Sequence, residues 1–215
     1  MTPGARVAAA IGVLDAVRDG ARVEQALTNW ARGARYAGSG DRAAVRDHVF
    51  TVMRRWSSCA ARGGGVDGRA LLIGHLRETG VDPDMVFTGR GHDPAPLAAA
   101  ERAAGRAPTA GEARDLPGWL WSRFADSLGP EAGAAAIALR DRAPITLRVN
   151  ERRLDRDTAQ AHLAEAGIAT RPIEWVDTAL QVIDGERKIS TSPPYRTGEV
   201  ELQDASSQAA MAALD

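Results

Sequence analysis

The sequence predicts an α+β protein: an all-helical N-terminal part, then a small unit in which strands and helices mix. Three observations carry this. Apolar residues recur at helical spacing through the first two thirds of the chain. After Pro144 the period drops to two in ITLRVN, where Ile145, Leu147 and Val149 alternate with Thr146, Arg148 and Asn150. Gly20, Gly63 to Gly65 and Gly167 stand where helical patterns stop.

Taken in order, Val7, Ile11, Leu14 and Val17 predict a first helix, and residues 23–34 a second. DRAAVRDHVFTVMRRWSSCAARGGG is the strongest helical signal. Asp41 is placed to cap it, and Val45, Val49, Val52, Met53 and Trp56 form one apolar stripe. Arg54, Arg55 and Arg62 then point away from that stripe, into solvent or toward a partner. GRALLIGHLRETG supplies another helix, and residues 96–104 a short one in a stretch loosened by Pro and Gly. Pro117 suits a first helical position before WLWSRFADSLG, whose Leu120, Phe124 and Leu128 repeat every four residues, and Pro130 opens a helix running to Arg142. Beyond the strand of ITLRVN come a capped helix over residues 157–166, extended stretches at 168–172 and 179–183, a turn at Asp184-Gly185, a loop through SPPYRTG and a strand over 199–202. The chain then enters a helix start at Asp204 or Ser206 in VELQDASSQAAMAALD. A boundary between helical and mixed parts is expected near residue 112.

At 215 residues, with 44% hydrophobic and 26% charged residues, the composition excludes disordered and collagen-like classes. The longest apolar runs fall far short of the roughly 20 residues a bilayer span needs, and Asp15, Arg18 and Asp19 interrupt the N-terminal one. A cytoplasmic protein without a signal peptide or membrane partner is expected. The single cysteine, Cys59, excludes an internal disulfide and cysteine-cluster metal sites. Net charge is −1, but residues 1–115 carry 16 Arg against 13 acidic residues, whereas the remainder is net acidic.

Self-contained chemistry is hard to place. GGGVDGRA has phosphate-loop spacing, but Arg69 stands for the lysine, Ala70 for the hydroxyl residue, and a helix precedes it; a helix terminator explains it better. His48, His75, His92 and His162 lack paired spacing, so no metal is expected. Cys59 lies on the striped helix without a sequence-local base and reads as an inert thiol. Arg54, Arg55 and Arg62 fit either a phosphate-contacting row or a solvated face, and Arg148 and Asn150 either contact a ligand or fill the open side of a small sheet.

PGWL, APITLRVN, an LAEAGI helix end and YRTGEVELQDASSQ together resemble the Sun (Fmu) branch of the Nol/Nop/Sun RNA cytosine-5 methyltransferases. DRAAVRDHVFTVMRRW is similar to the helical domain, resembling the antitermination factor NusB, that ribosomal RNA members of the branch carry in front. The resemblance implies a NusB-like RNA-binding bundle over residues 1–112, linker helices plus a small RRM- or ferredoxin-like domain over 113–204, and the start of a Rossmann-like methyltransferase domain over 205–215. It further implies an S-adenosylmethionine-dependent enzyme acting on small-subunit ribosomal RNA through a cysteine nucleophile. The family's glycine-rich cofactor loop and its Pro-Cys and Thr-Cys motifs do not occur in these residues, so the chain is expected to hold no catalytic residue, to bind the cofactor weakly at most, and to be a front end truncated before its catalytic domain. Arg148 and Asn150 match the family's R-V-N motif beside its RNA-binding surface. Gln203, Asp204, Ser207 and Gln208 match the segment leading into its own C-terminal methyltransferase domain, a partner in that reading; Asp204 serves equally as a helix cap. A free-standing RNA-binding adaptor of antitermination type, or a protein-docking module, is the alternative.

Overall fold

Thr2 and Pro3 start the first helix. The Thr2 hydroxyl accepts the Ala5 N–H at 3.0 Å, and Pro3 occupies a turn where its missing N–H costs nothing. In the computed structural model, which describes residues 1–214, this helix α1 (Pro3–Arg18) is followed by α2 (Val23–Gly33), α3 (Ser39–Arg54), α4 (Trp56–Gly63), α5 (Gly68–Glu78), the short α6 (Ala99–Ala103), α7 (Gly118–Leu128) and α8 (Ala132–Ala138). They form one compact unit, Met1–Arg142; a second begins at Ala143.

Val7 and Leu14 of α1, Val45, Val49 and Val52 of α3, Leu71 and Leu72 of α5, and Phe87 make the core of the helical unit. Three local expectations shift. Asp41 sits inside α3 at its third position and accepts the Gly38 N–H at 3.3 Å from there, while also pairing with Arg6 and the N-terminal ammonium. The long striped helix breaks at Arg55, whose backbone (φ −129, ψ 32) leaves the helical region; Met53, still within α3 at the edge of the predicted stripe, is 36% exposed. Pro117 is the residue before α7 rather than its first, and α7 buries none of its residues: Leu120 and Phe124 are half-covered and Leu128 is exposed.

Helices α4 and α5 pack backbone to backbone. A Cβ on Gly74 would overlap the Cys59 carbonyl oxygen, and one on Gly63 the Ala70 carbonyl oxygen. Gly64, in the left-handed conformation at φ +79, ends α4. His48 and His75 meet edge to face, their ring centroids 5.9 Å apart. Burial is the main cause holding the His75 imidazole down at about 4. Its folded pKa lies below its unfolded value, so the neutral ring stabilises the fold above about pH 6.5, and that stability is lost as pH falls toward 4. Chemical denaturation at about pH 7 and about pH 4.5 should show a loss of roughly 2–3 kcal/mol, and a His75→Leu variant should lose visibly less over the same interval.

The second unit runs β1 (Thr146–Val149), α9 (Arg156–Glu165), β2 (Ala169–Ile173), β3 (Val176–Asp184), α10 (Pro193–Arg196), β4 (Val200–Leu202) and α11 (Ala205–Ala212). The sheet order is β2-β3-β1-β4, all neighbours antiparallel, with Leu147 opposite both Leu180 and Leu202. This is the ferredoxin-like order, with a 3₁₀ stretch, Glu186–Thr191, and the short α10 in place of a long second crossover helix. Leu147, Val149, Leu163, Ile168, Leu180 and Val200 form the core beneath α9, whose cap is Asp155, two residues before the expected start. The other sheet face, expected to be open, is partly covered: α11 lays Ala205 on Ala179, and Thr146 is buried. Rim strand β2 carries Arg171 and Pro172.

Compactness divides the chain at Arg142/Ala143, further along than the boundary expected near residue 112. The reason is that α8 and the turn Glu112–Arg114 are bound to the helical unit by the ion cluster described next. Of the segment 205–215 expected to begin a further domain, residues 205–212 form α11, and Asp215 lies outside the described residues.

Candidate nucleic-acid interface

Strand alternation in the second unit places Arg148 on the sheet face opposite the core, beside Glu201 of β4. Its guanidinium lies 3.4 Å from the Glu201 carboxylate and donates to Gln203 Oε1 at 3.3 Å, all three side chains reaching solvent. An exposed pair of this kind is weak and readily exchanged for another anion. Asn150 donates through Nδ2 to the Gly198 carbonyl at 3.0 Å, which ties the end of β1 to the loop before β4. Gln208 is buried and doubly held, donating to the Gln203 carbonyl at 3.0 Å and accepting from the Thr178 hydroxyl at 2.7 Å.

Arg148, Asn150, Gln203 and Gln208 therefore line one cavity of about 820 Å³, together with Arg152 and Glu201. The sequence placed the first four in two separate groups; the return of β4 alongside β1 joins them. Arg152 and Glu201 escaped the sequence reading because their shared position depends on that pairing; the period-two placement of Glu201 on the polar side of its strand was the one available signal. Asp204 caps α11, accepting the Ser206 N–H at 2.8 Å, and the hydrogen bond that the Ser206 hydroxyl donates to the same carboxylate is the first cause of its lowered pKa. Ser207 is exposed and does not line the cavity.

The helical unit treats its three singled-out arginines differently from the expected solvent-facing row. All are half-buried. Arg54 and Arg55 both donate to the Arg140 carbonyl, at 3.3 and 3.4 Å, and Arg55 also pairs with Asp141 at 2.6 Å and lies 3.6 Å from Glu78. The break at Arg55 turns this side chain inward, onto a segment 86 residues further along the chain. Arg62 is on α4, its Nε buried without a partner. Beneath them Arg140 bridges Glu78 and Asp115, the latter at 2.9 Å, and Asp115 accepts both the N–H and the hydroxyl of Ser58 at 2.8 Å. Asp115 holds the left-handed conformation (φ 52), unique to it among described non-glycine residues, and supplies the N-terminal cap that α4 lacks locally.

Cys59 is fully buried, and burial pushes its thiol up to about 12, so it is unsuited to act as a nucleophile. Among the described residues no group of three or more His, Cys, Asp or Glu is arranged to hold a metal, and no helix is long and apolar enough to cross a membrane.

Residues 116–188 match the family described as Methyltr_RsmF/B-like, ferredoxin-like domain. Over 98 residues the chain is 37% identical to the ribosomal RNA small subunit methyltransferase B of Xylella fastidiosa (strain Temecula1 / ATCC 700964). It is 33% identical over 98 residues to the protein of that name from Vibrio cholerae serotype O1 (strain ATCC 39315 / El Tor Inaba N16961). Each match covers 46% of this chain and 22% of the relative, so the chain spans about a fifth of the length of those proteins. A solved structure described as Crystal Structure of PH0851 superposes with a TM-score of 0.54 at 17% identity, covering 100% of this chain and 56% of that one, which shows a shared fold. The matched family region starts at residue 116, ahead of the division by compactness at 142/143, so the family's unit takes in α7 and α8.

Proposed function

We propose, from the match of residues 116–188 to the family described as Methyltr_RsmF/B-like, ferredoxin-like domain, that this chain is the RNA-recognition segment of an S-adenosylmethionine-dependent 16S ribosomal RNA (cytosine-5) methyltransferase. The observation that carries the reading is the cavity on the sheet face. Arg148 offers an exposed guanidinium held only by weak contacts to Glu201 and Gln203, with the amides of Asn150 and Gln203 beside it and the buried Gln208 amide fixing the Gln203 backbone. Arginine and amide side chains are the groups that meet phosphates and base edges.

The described residues do not fit the cofactor. The loop between β4 and α11 is Gln203-Asp204, without glycine, and the α11 N-terminus is already capped by the Asp204 carboxylate, which leaves no cradle there for a second anionic group. In this reading the methyl donor and the cysteine chemistry belong to other residues of the parent enzyme, and the 215-residue chain alone transfers no methyl group.

The test is fluorescence anisotropy with a small-subunit ribosomal RNA fragment. Affinity should fall steeply between about 50 and 200 mM salt, and Arg148→Ala should weaken it by roughly tenfold with a slope shallower by about 0.7–0.9. No measurable RNA binding at the lower salt, or an Arg148→Ala slope equal to wild type, would refute the reading.

A further inference from the structure

With Arg54 and Arg55 held by the Arg140 carbonyl and Arg62 half-buried, the helical unit must meet an anion elsewhere if it meets one at all. Most of its other arginines are spent as well. Arg6, Arg46, Arg69, Arg102 and Arg106 each pair with a carboxylate, and Arg77 donates to four different backbone carbonyls. Arg90 is exposed and, like Arg22, Arg32, Arg35, Arg123 and Arg142, its guanidinium has no hydrogen-bond or ion-pair partner among the described residues; of these it is the one set in a groove beside aromatic rings.

Arg90 lines a groove of about 580 Å³ with His92, Trp30 and Tyr36, floored by Ala5 and Ala9 of α1. That volume suits a nucleotide-sized occupant. Trp30 is packed against the core and so holds its ring in place, whereas the Tyr36 ring is 74% exposed. No carboxylate lines the groove. Asp93 is close enough to Arg90 to feel its charge, but its oxygens accept the Thr2 and Thr88 hydroxyls, at 2.6 and 2.7 Å.

We infer that this groove holds an unpaired RNA segment, one base stacked against the Tyr36 and Trp30 rings and an adjoining phosphate on Arg90, with His92 at its edge. The inference rests on the RNA-recognition reading and adds to it a second contact surface, on the helical unit. The chemistry favours a single strand: aromatic faces accept a base only when it is free of its neighbours, and an unpaired cation beside them supplies the counter-charge for the backbone. An acidic or purely apolar protein segment would use the cation or the rings, but a nucleotide uses both.

The experiment titrates the 215-residue chain with a labelled, unstructured RNA of about 12 nucleotides and with a duplex of the same length. Tyr36→Ala should weaken single-strand binding about tenfold or more, Tyr36→Phe should restore it, and Arg90→Ala should make the salt slope shallower by about 0.7. The duplex should be less affected by Tyr36→Ala than the single strand. Both substituted side chains are exposed, so the fold should stand, which circular dichroism checks. If wild type binds RNA and Arg148→Ala weakens it while Tyr36→Ala and Arg90→Ala bind like wild type, the groove is not a contact surface and the sheet-face reading survives. If wild type binds neither RNA, both fall.

Discussion

Gly74→Ala should destabilise the protein by about 3 kcal/mol or more, read from the midpoint of a urea transition at unchanged slope. The added methyl would overlap the Cys59 carbonyl oxygen and press on the Gly63 nitrogen, and both obstacles are backbone of α4 rather than the movable tip of a side chain. Relief requires prising α4 from α5, which opens the core around Cys59 and Leu71. Gly12→Ala is the matched control. Gly12 also lies within a helix, a Cβ there meets nothing within 4 Å, and alanine should stabilise α1 by up to about 1 kcal/mol. A Gly74→Ala variant as stable as wild type would show that the close approach of α4 and α5 is wrong.

Arg140→Ala should cost about 3–5 kcal/mol, the range found when one partner of a buried ion pair is removed. The loss follows from what stays behind. The Asp115 carboxylate is 1% exposed and that of Glu78 12%, and without Arg140 only the more distant Arg55 faces Glu78. Asp115 would keep its two bonds to Ser58 and so continue to cap α4, but as an uncompensated charge. Removing a second charge should recover part of the loss: Arg140→Met combined with Glu78→Leu should be more stable than Arg140→Ala alone. Equal stability of Arg140→Ala and wild type would mean that the cluster contributes nothing.

What could be read in the residue pattern is what depends on near neighbours. Val45, Val49 and Val52 share a face because of helical spacing, and Leu147 and Val149 share one because of strand spacing; in the fold all five are buried. Gly64 and Gly185 mark turns that only a positive φ permits, and both adopt one. The break at Arg55 had no such marker, for neither glycine nor proline stands there; it is imposed by contacts with Asp115, Arg140 and Asp141, far along the chain. That break accompanies the inward turn of Arg55, whereas Met53, which lies within α3 before the break, is exposed because it sits at the edge of the stripe. Likewise the sheet-face cavity could be read in its members but not in its assembly, since only strand pairing brings β4 to β1. The groove at Tyr36 and Arg90 was not legible at all: its rings and its cation come from stretches that no local periodicity relates.

The rims of the small sheet restrict how it can meet anything else. Pro172 on β2 lacks the N–H that a further strand would need, and the neighbouring Arg171 adds a charge on that rim. The opposite rim, β4, offers three residues of backbone before the chain turns into α11. Neither border gives an extended chain a template for addition, so the sheet resists zipping onto a second copy of itself, and a ligand must be read by side chains standing on its surface rather than by the hydrogen-bonding rail of its backbone.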